Sequence, residues 1–307
     1  MDLKHLSLHS DLALLGVGCA VLDIVREVER YPGEDEEVRA LAQVRCLGGN
    51  VANTLSILRQ LGHVCAWCGT VADDAASDEI LAALGGQGID TSPARRLAGC
   101  QSPLSCVTLS RATGSRTIIH YRDLPELDAQ DFTRLPLTGY GWLHFEGRHP
   151  AQTSLMLRDA AARRPDVPIS LEIEKLRPDL DGLFEGPWIL VFSRAYVLAS
   201  DHREPEAFLA AQWARTTAEF LFLPWGEVGA YGQARQGPLC FTPASASAPV
   251  LDTLAAGDVF IAALIDGLRK GLPLEVVLER ATNLAGHKCG QRGLDGVVAS
   301  AQRGGWR

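Results

Sequence analysis

One stretch near the C-terminus decides the fold: Leu251-Asp252-Thr253-Leu254-Ala255-Ala256-Gly257-Asp258-Val259-Phe260. Small residues fill its middle, and apolar residues then recur at helical spacing until Gly271 and Pro273 end the run. This pattern predicts a helix whose N-terminus offers free backbone N–H groups and the positive end of the helix dipole to an anion. Asp258 would lie where a carboxylate can take a proton from a hydroxyl that approaches this anion. An ordinary glycine-containing turn before a helix explains the same residues. Evidence from the rest of the chain is needed to distinguish this turn from an anion-binding site.

Length and charge restrict the class of protein. A chain of 307 residues with 47% hydrophobic and 21% charged residues can bury a large core, and this composition is typical of a soluble globular protein. Because no repeat or linker divides the chain, we expect a single domain over residues 1–307. The formal net charge of −8 argues against nucleic acid or an anionic membrane as a partner. Backbone amides can still bind a small anion without side-chain charge.

No segment predicts export or insertion into a membrane. Residues 1–11 carry charges and lack the apolar core of a secretory signal, and no run approaches the roughly 20 apolar residues that span a bilayer. We therefore expect a cytoplasmic location. Among 8 cysteines, only Cys65 and Cys68 have C-x-x-C spacing. They fall in a predicted strand, which points residues three apart to opposite faces, so buried reduced thiols are a better interpretation than a metal or redox pair.

Strands and helices alternate along most of the chain. This alternation predicts a mostly parallel sheet with helices on both faces, and hence an α/β protein with three layers. Strands are predicted at 12–18, 64–71, 142–145, 169–173, 188–192 and 220–223, and helices at 50–61, 77–87, 151–164, 205–217, 256–270 and 274–289. Two further segments, 24–47 and 104–121, are typical of exposed strand pairs that turns connect.

Ligands of such a sheet bind at the carboxyl ends of its strands. The first strand is predicted to end near Asp23, and the other candidates for these ends are the start of segment 48–53, Glu146, Glu172 to Glu174 and Gly226.

The segment Gly48-Gly49-Asn50-Val51-Ala52-Asn53 precedes a predicted helix directly. Asn50 and Asn53 share one helix face, so both amides can point at one ligand, and amides suit sugar hydroxyls. Alternatively, Asn50 is merely the helix N-cap. Asp23 and Asp35 can likewise accept hydrogen bonds from ligand hydroxyls or be ordinary loop acids.

Two of these stretches form a recognisable pair. Gly49-Asn50 with Asn53, and Asp252 to Asp258, resemble the two signatures of the ribokinase-like (PfkB-type) carbohydrate kinase family. The ketohexokinase (fructokinase) branch of that family is the most similar, through the stretches at 21–23, 31–35, 48–50, 145–148, 172–175 and 289–296. The resemblance runs from about residue 12 to 298. It implies a three-layer αβα sandwich that carries a small β-sheet lid, formed here by the two exposed strand pairs at about 24–47 and 104–121.

The resemblance also implies roles for individual residues. Asp258 corresponds to the catalytic base that deprotonates the sugar hydroxyl as this attacks the γ-phosphate of ATP, beside an anion hole at Ala255, Ala256 and Gly257. Arg116 corresponds to an arginine that reaches toward the transferred phosphate. The sugar-side positions are Asp23, Asp35, Gly49, Asn50, Asn53, Ser115 and Asp258, and the nucleotide-side positions are Gly226, Gly229, Ala256, Gly257, Asn283, Gly286 and Cys289.

Three departures from the family pattern bear on function. Ala255 stands where the family has the first glycine of Gly-Ala-Gly-Asp, and its N–H can serve the anion hole if the position needs no positive φ. Ser115 replaces the asparagine that precedes the lid arginine in ketohexokinases, which affects the choice of sugar. The Asn-x-x-Glu motif linked to magnesium is missing at 193–198. Either Glu172 and Glu174 hold Mg²⁺ through water, or they are purely structural.

The resemblance therefore implies ATP-dependent phosphorylation of a primary hydroxyl of a free sugar, a ketohexose such as fructose. A kinase of nucleosides or of 2-keto-3-deoxygluconate is the alternative within the class, and a non-catalytic sugar-binding regulator is the alternative outside it. ATP, Mg²⁺ and a K⁺ ion near the 252–258 turn are the implied cofactors. We also expect a homodimer through the lid, because four short strands cannot bury both of their faces alone.

Overall fold

The computed structural model describes residues 9, 11–245 and 249–306. The N-terminal segment on which the cytoplasmic expectation rests lies mostly outside these residues. Within them, no helix combines the length and the apolar character needed to cross a membrane.

Helices and strands alternate as the sequence predicts. The strands are β1 (Ala13–Val17), β2 (Val21–Val28), β3 (Ala42–Gly48), β4 (Cys65–Cys68), β5 (Thr70–Ala72), β6 (Arg95–Leu97), β7 (Leu104–Ser110), β8 (Arg116–Tyr121), β9 (Tyr140–Glu146), β10 (Ile169–Ile173), β11 (Ile189–Phe192), β12 (Phe220–Pro224), β13 (Gly229–Ala234) and β14 (Leu239–Pro243). The helices are α1 (Asn50–Gln60), α2 (Ala75–Gly86), α3 (Ala129–Thr133), α4 (Pro150–Arg163), α5 (Arg194–Ala199), α6 (Pro205–Gln212), α7 (Ala256–Arg269), α8 (Leu274–Cys289) and α9 (Val297–Arg303), with a 3-10 turn at Leu180–Leu183.

The large sheet has the strand order β14-β13-β12-β11-β10-β9-β1-β4. It is parallel from β12 to β4, while β13 and β14 continue it antiparallel. The predicted parallel sheet is therefore confirmed, but the two antiparallel edge strands were not predicted. Their sequences, Gly229–Ala234 and Leu239–Pro243, lack the continuous apolar runs that mark the central strands.

Apolar side chains fill both faces of this sheet. One cluster includes residues of α1, α7 and α8, and the other includes residues of α4 and α6. Cys65 belongs to the first cluster and Cys68 to the second, as the alternation of side chains along a strand requires. Both thiols are free and buried, which agrees with the structural interpretation of the C-x-x-C spacing.

A separate small sheet has the order β3-β2-β7-β8. Its outer pairs are antiparallel and its central pair, β2 with β7, is parallel. The predicted exposed strands of segments 24–47 and 104–121 are thus present. The expectation that the first main strand ends near Asp23 was wrong, because β1 stops at Val17 and Val21 already pairs with Gly48 in the small sheet.

One face of the small sheet points at the carboxyl ends of the main strands. Asp23, Ser105 and His120 lie on this face, which we call the cleft face, because they are cross-strand neighbours at one register position. Arg116 shares the face and donates a hydrogen bond of 2.9 Å to Thr253 Oγ1 in the turn before α7. Glu27, also on this face, pairs with Arg292 at 2.9 Å. The small sheet is therefore tied to the main body across a cleft.

Candidate active site

The turn before α7 exposes backbone N–H groups. Ala255 is the N-cap residue, with φ 62 and ψ 10, and its side chain caps nothing. In the described part of the chain, no hydrogen-bond acceptor meets the N–H of Ala255 or Gly257, whereas that of Ala256 makes a long bond of 3.4 Å to Thr253 O. These amides can bind an anion at the helix N-terminus.

An alanine at position 255 was expected to be harmless only if this position needs no positive φ, and the structure does not meet that condition. The φ of Ala255 is positive, so an alanine adopts the left-handed conformation that glycine reaches without strain. This conformation costs an alanine about 1 kcal/mol. The turn therefore keeps its shape at the expense of local strain.

Asp258 lies in the first turn of α7 and is 6% exposed. Its Oδ2 accepts a hydrogen bond of 2.7 Å from Asn53 Nδ2 on α1. Burial raises the pKa of Asp258 well above its usual value, the bond from Asn53 opposes this rise, and the nearby Glu146 and Glu174 add to it. A buried carboxylate with a raised pKa is suited to accept a proton from a hydroxyl near neutral pH.

Two further buried carboxylates lie beneath this position. Glu172 and Glu146 are register neighbours at the ends of β10 and β9. Glu172 Oε1 accepts a bond of 3.2 Å from Asn50 Nδ2, and Glu146 Oε2 accepts one of 3.0 Å from the Cys19 N–H. Burial raises the pKa of both, and the charge of Asp258 raises that of Glu172 further. Such a set favours a bound cation or bound protons, because so many carboxylates cannot all be ionised cheaply side by side.

Asn50 is not the N-cap of α1. The N-cap is Gly49, with φ 101, and a Cβ at this position would lie 2.4 Å from the Cys19 carbonyl oxygen. Gly49 therefore allows both the positive φ and the close approach of two backbones. As a result, Asn50 and Asn53 project from the first turn of the helix, one toward Glu172 and the other toward Asp258.

The oxygen atoms at this site suit a divalent cation only in part. Glu172 Oε2 is buried and has no hydrogen-bond partner, so it can accept a bond from a metal-bound water. Glu174 is less available, because Lys175 pairs with it at 3.2 Å. Among the described residues, no group of three or more His, Cys, Asp or Glu side chains could hold a metal ion. This arrangement fits Mg²⁺, which keeps several waters and shares substrate phosphates, better than it fits a caged ion.

The predicted sugar-side residues divide into two groups. Asp23 lies on the cleft face, where a Cβ on Gly48 would come within 2.2 Å of its Oδ2. Ser115 is turned to its own hairpin, where its hydroxyl bonds to Thr113 at 2.7 Å and to Tyr31 at 3.3 Å. Asp35 is exposed in the connection between β2 and β3, with φ 61. Asp23 thus joins Gly49, Asn50 and Asn53 around the cleft, whereas Ser115 and Asp35 stay in exposed turns.

The predicted nucleotide-side residues lie on neighbouring elements. Gly226 and Gly229 form the turn from β12 to β13, and a Cβ on Gly229 would be 2.2 Å from the Thr242 carbonyl oxygen. Asn283, Gly286 and Cys289 lie on α8, which packs against β13 and β14.

Gly286 and Cys289 each contact residues of the segment between β14 and α7. A Cβ on Gly286 would be 2.1 Å from the Ser245 carbonyl oxygen. The Cys289 carbonyl accepts the N–H groups of Leu251 and Asp252. The C-terminal end of α8 therefore adjoins the turn at 251–258.

Sequence reasoning missed the ion pair that anchors this turn. Lys288 is fully buried, and its Nζ donates to Asp252 Oδ2 at 2.6 Å and to Asp252 O at 2.9 Å. Asp252 Oδ1 also accepts the N–H of Leu254. The available signal was the position of Lys288, which falls on the apolar face of α8 with Ala281 and Leu284.

Comparison with known proteins identifies the family. Residues 14–299 match the family described as pfkB family carbohydrate kinase. The chain belongs to that family. It is 34% identical over 293 residues to the ketohexokinase of Mus musculus, a match that covers 93% of this chain and 98% of the mouse protein.

Solved structures of family members share the fold. The Arabidopsis thaliana ribokinase complexed with ribose and ATP has a TM-score of 0.77 at 20% identity, and the match covers 92% of this chain and 94% of that one. The ribokinase of Cryptococcus neoformans var. grubii serotype A in complex with ADP has a TM-score of 0.72 at 18% identity, covering 95% and 99%. The pfkB-family carbohydrate kinase described here therefore has the ribokinase-like α/β fold, with a mostly parallel central sheet and a smaller second sheet.

Proposed function

We propose that this carbohydrate kinase transfers the γ-phosphate of ATP to a primary hydroxyl of a free ketohexose such as fructose. The observation that carries the proposal is the placement of Asp258, a buried carboxylate held by Asn53 beside the free amides of the α7 N-terminus. The 34% identity to a ketohexokinase over nearly the whole chain supports the choice of a ketose. ATP is the donor that the complexes of two structural relatives suggest.

Asp258 acts as the general base. Its carboxylate accepts the proton of the sugar hydroxyl as the hydroxyl oxygen forms its bond to the γ-phosphorus and the bond to the β-phosphate oxygen breaks, which releases ADP. The N–H groups of Ala255, Ala256 and Gly257 donate to the transferred phosphate and stabilise its charge. Arg116, which in this conformation bonds to Thr253 next to the same turn, adds a positive charge to it. Catalysis by these groups is mainly positioning and electrostatic stabilisation.

The nucleotide occupies the side of the site formed by Gly226, Gly229 and the end of α8. The glycine turn lets a nucleotide approach the backbone, and Asn283, Gly286 and Cys289 form the wall for its base. Mg²⁺ would neutralise phosphate charge when bound, and the unpartnered Oε2 of Glu172 would hold it through water. A K⁺ ion near the 252–258 turn is part of the same proposal, with backbone carbonyls as ligands.

We infer a homodimer through the small sheet. On the face opposite the cleft face, this sheet exposes Ile119 at 71% and Tyr121 at 52%. A sheet with exposed apolar residues and unpaired edges is a common site for association. Light scattering on the purified protein, with Ile119→Lys as the disrupting variant, tests this inference, and a wild-type monomer at micromolar concentration contradicts it.

A substrate panel tests the proposed activity. Release of ADP from ATP and Mg²⁺ is measured with fructose, other ketoses, aldoses, nucleosides and 2-keto-3-deoxygluconate. The expected result is the highest kcat/KM with a ketohexose, and a dependence on Mg²⁺. A preference for nucleosides or for 2-keto-3-deoxygluconate would replace the proposed substrate. ADP release that is absent with every compound, alongside sugar binding by calorimetry, would favour a non-catalytic regulator.

A further inference from the structure

A row of polar side chains crosses the cleft face of the small sheet. Asp23 on β2, Ser105 on β7 and His120 on β8 are direct register neighbours. Ser105 is 7% exposed, and its Oγ lies 3.1 Å from His120 Nδ1. Burial raises the pKa of the neighbouring Asp23, and Ser105 partly offsets this rise. His120 thus bonds to Ser105, which lies beside Asp23 of the proposed sugar site.

The bond to Ser105 engages one of the two ring nitrogens of His120. Nε2, the other nitrogen, donates or accepts a hydrogen bond according to which nitrogen carries the proton. No hydrogen-bond partner for Nε2 occurs within 11–245 and 249–306, and the side chain is exposed on the cleft face.

The surroundings keep His120 neutral. Burial, and then the charges of Arg148, Arg122 and Lys175, lower its pKa below 6.5, while Glu126 opposes them. Arg148 and Lys175 follow β9 and β10, so these charges place His120 over the carboxyl ends of the main strands. Arg122 and Arg148 are themselves paired with Glu126, at 3.0 Å and 2.7 Å. The ring therefore presents an uncharged polar nitrogen to the cleft.

We propose that His120 is a specificity-determining residue, whose Nε2 forms a hydrogen bond with a hydroxyl of a neutral sugar while its Nδ1 bonds to Ser105 beside Asp23. This inference rests on the proposed sugar kinase activity and makes its substrate class more specific. A neutral imidazole nitrogen and a carboxylate on one face favour sugar hydroxyls and disfavour a substrate carboxylate. A sugar acid such as 2-keto-3-deoxygluconate would place like charges near Asp23.

Two replacements separate the functions of the two ring nitrogens. His120→Asn keeps a polar atom near the position of Nδ1 and removes the polar atom at Nε2. His120→Gln keeps a polar atom near Nε2 and loses the bond to Ser105. Thr117→Ala is the matched control, because Thr117 is exposed on the opposite face of the same strand. Thermal melting of each variant checks that the fold is retained.

The readout is kcat/KM for the preferred ketose and for its monodeoxy analogues. We expect wild type, Thr117→Ala and His120→Gln to reject one analogue by about 2- to 12-fold, the effect of one neutral hydrogen bond. In His120→Asn this discrimination should disappear, with the loss in KM rather than in kcat. Unchanged discrimination against every analogue in His120→Asn overturns the inference. Wild-type protein that phosphorylates no sugar at all would instead overturn the proposed function, so the two failures are distinguishable.

Discussion

Asn53 donates a hydrogen bond of 2.7 Å to the carboxylate of Asp258, across 205 residues of chain. The bond connects the first turn of α1 to the first turn of α7, and these helices pack against each other. Burial raises the pKa of Asp258, and the amide of Asn53 opposes that rise because it binds the ionised form. The balance between these effects sets the pH above which Asp258 can accept a proton.

Replacement of Asp258 by asparagine should abolish most turnover. Asparagine has a similar shape and can still accept the bond from Asn53, but it cannot take a proton, so kcat should fall by roughly 10²- to 10⁴-fold. The KM for the sugar should change little. Steady-state ADP release measures both constants, with Asp201→Asn as the control, since Asp201 is exposed and asparagine tolerates its φ of 61. A variant with near-wild-type kcat would remove Asp258 from the mechanism.

Removal of the Asn53 amide should move the pH profile. In Asn53→Ala the ionised Asp258 loses a donor, so its pKa rises further and the acidic limb of kcat/KM moves to higher pH. At neutral pH, kcat/KM should fall by about 10-fold or more, as expected for a hydrogen bond to a charged group.

The profile of kcat/KM between pH 5 and 9 is the measurement for Asn53→Ala. Ser56→Ala is its control, because Ser56 is buried on the same helix but bonds only to the Ala52 carbonyl. An acidic limb at the wild-type position would show that Asn53 does not tune the base.

The sequence was sufficient for the parallel strands of the main sheet and for the signatures, because both depend on local patterns. The run of apolar residues at Ile189–Phe192 predicts a buried strand, and the small residues before Asp258 predict a helix N-terminus. The assignment of the strand that contains Asp23 failed for a physical reason. Val21 to Asp23 follow β1 almost directly, and only their pairing with β3 and β7 shows that the chain has passed into another sheet.

Contacts between distant residues could not be predicted in the same way. The pairing of Lys288 with Asp252, the backbone of Ala255 and the row from Asp23 to His120 each depend on tertiary placement. A lysine on an apolar helix face indicates that it has an acidic partner, but it does not show which acid this is. Strand register, which decides that Ser105 lies between Asp23 and His120, is likewise set by long-range pairing.

Because Ala255 is strained, glycine should affect thermal stability differently at position 255 and at the adjacent position 256. Ala255→Gly relieves the left-handed strain of about 1 kcal/mol, partly offset by the greater freedom of the unfolded chain, so the melting temperature should stay level or rise slightly. Ala256→Gly, inside the helix, should lower stability by up to about 1 kcal/mol. Thermal unfolding of both variants tests this contrast, and a clear loss of stability in Ala255→Gly would contradict the strain at this residue.

The buried pair of Lys288 and Asp252 predicts a stability effect that depends on pH. Burial raises the pKa of Asp252, but hydrogen bonds from Lys288 and from two backbone N–H groups outweigh it and lower the pKa below 3.8. A depressed carboxylate pKa contributes stability that is present above the unfolded-state value and is lost as the pH falls through the folded-state value. In Lys288→Met the carboxylate loses its cation, so the free energy of unfolding at pH 7 should fall by about 3 kcal/mol.

Urea unfolding at pH 7 and at a pH near 3 measures both parts of this effect. The difference between wild type and Lys288→Met should be large at pH 7 and should narrow as the pH falls toward the lowered pKa of Asp252 in the wild type. Lys175→Met is the control, because Lys175 is 62% exposed and its pair with Glu174 should contribute less than about 1 kcal/mol. Equal stability of wild type and Lys288→Met at pH 7 would mean that this ion pair does not anchor the turn before α7.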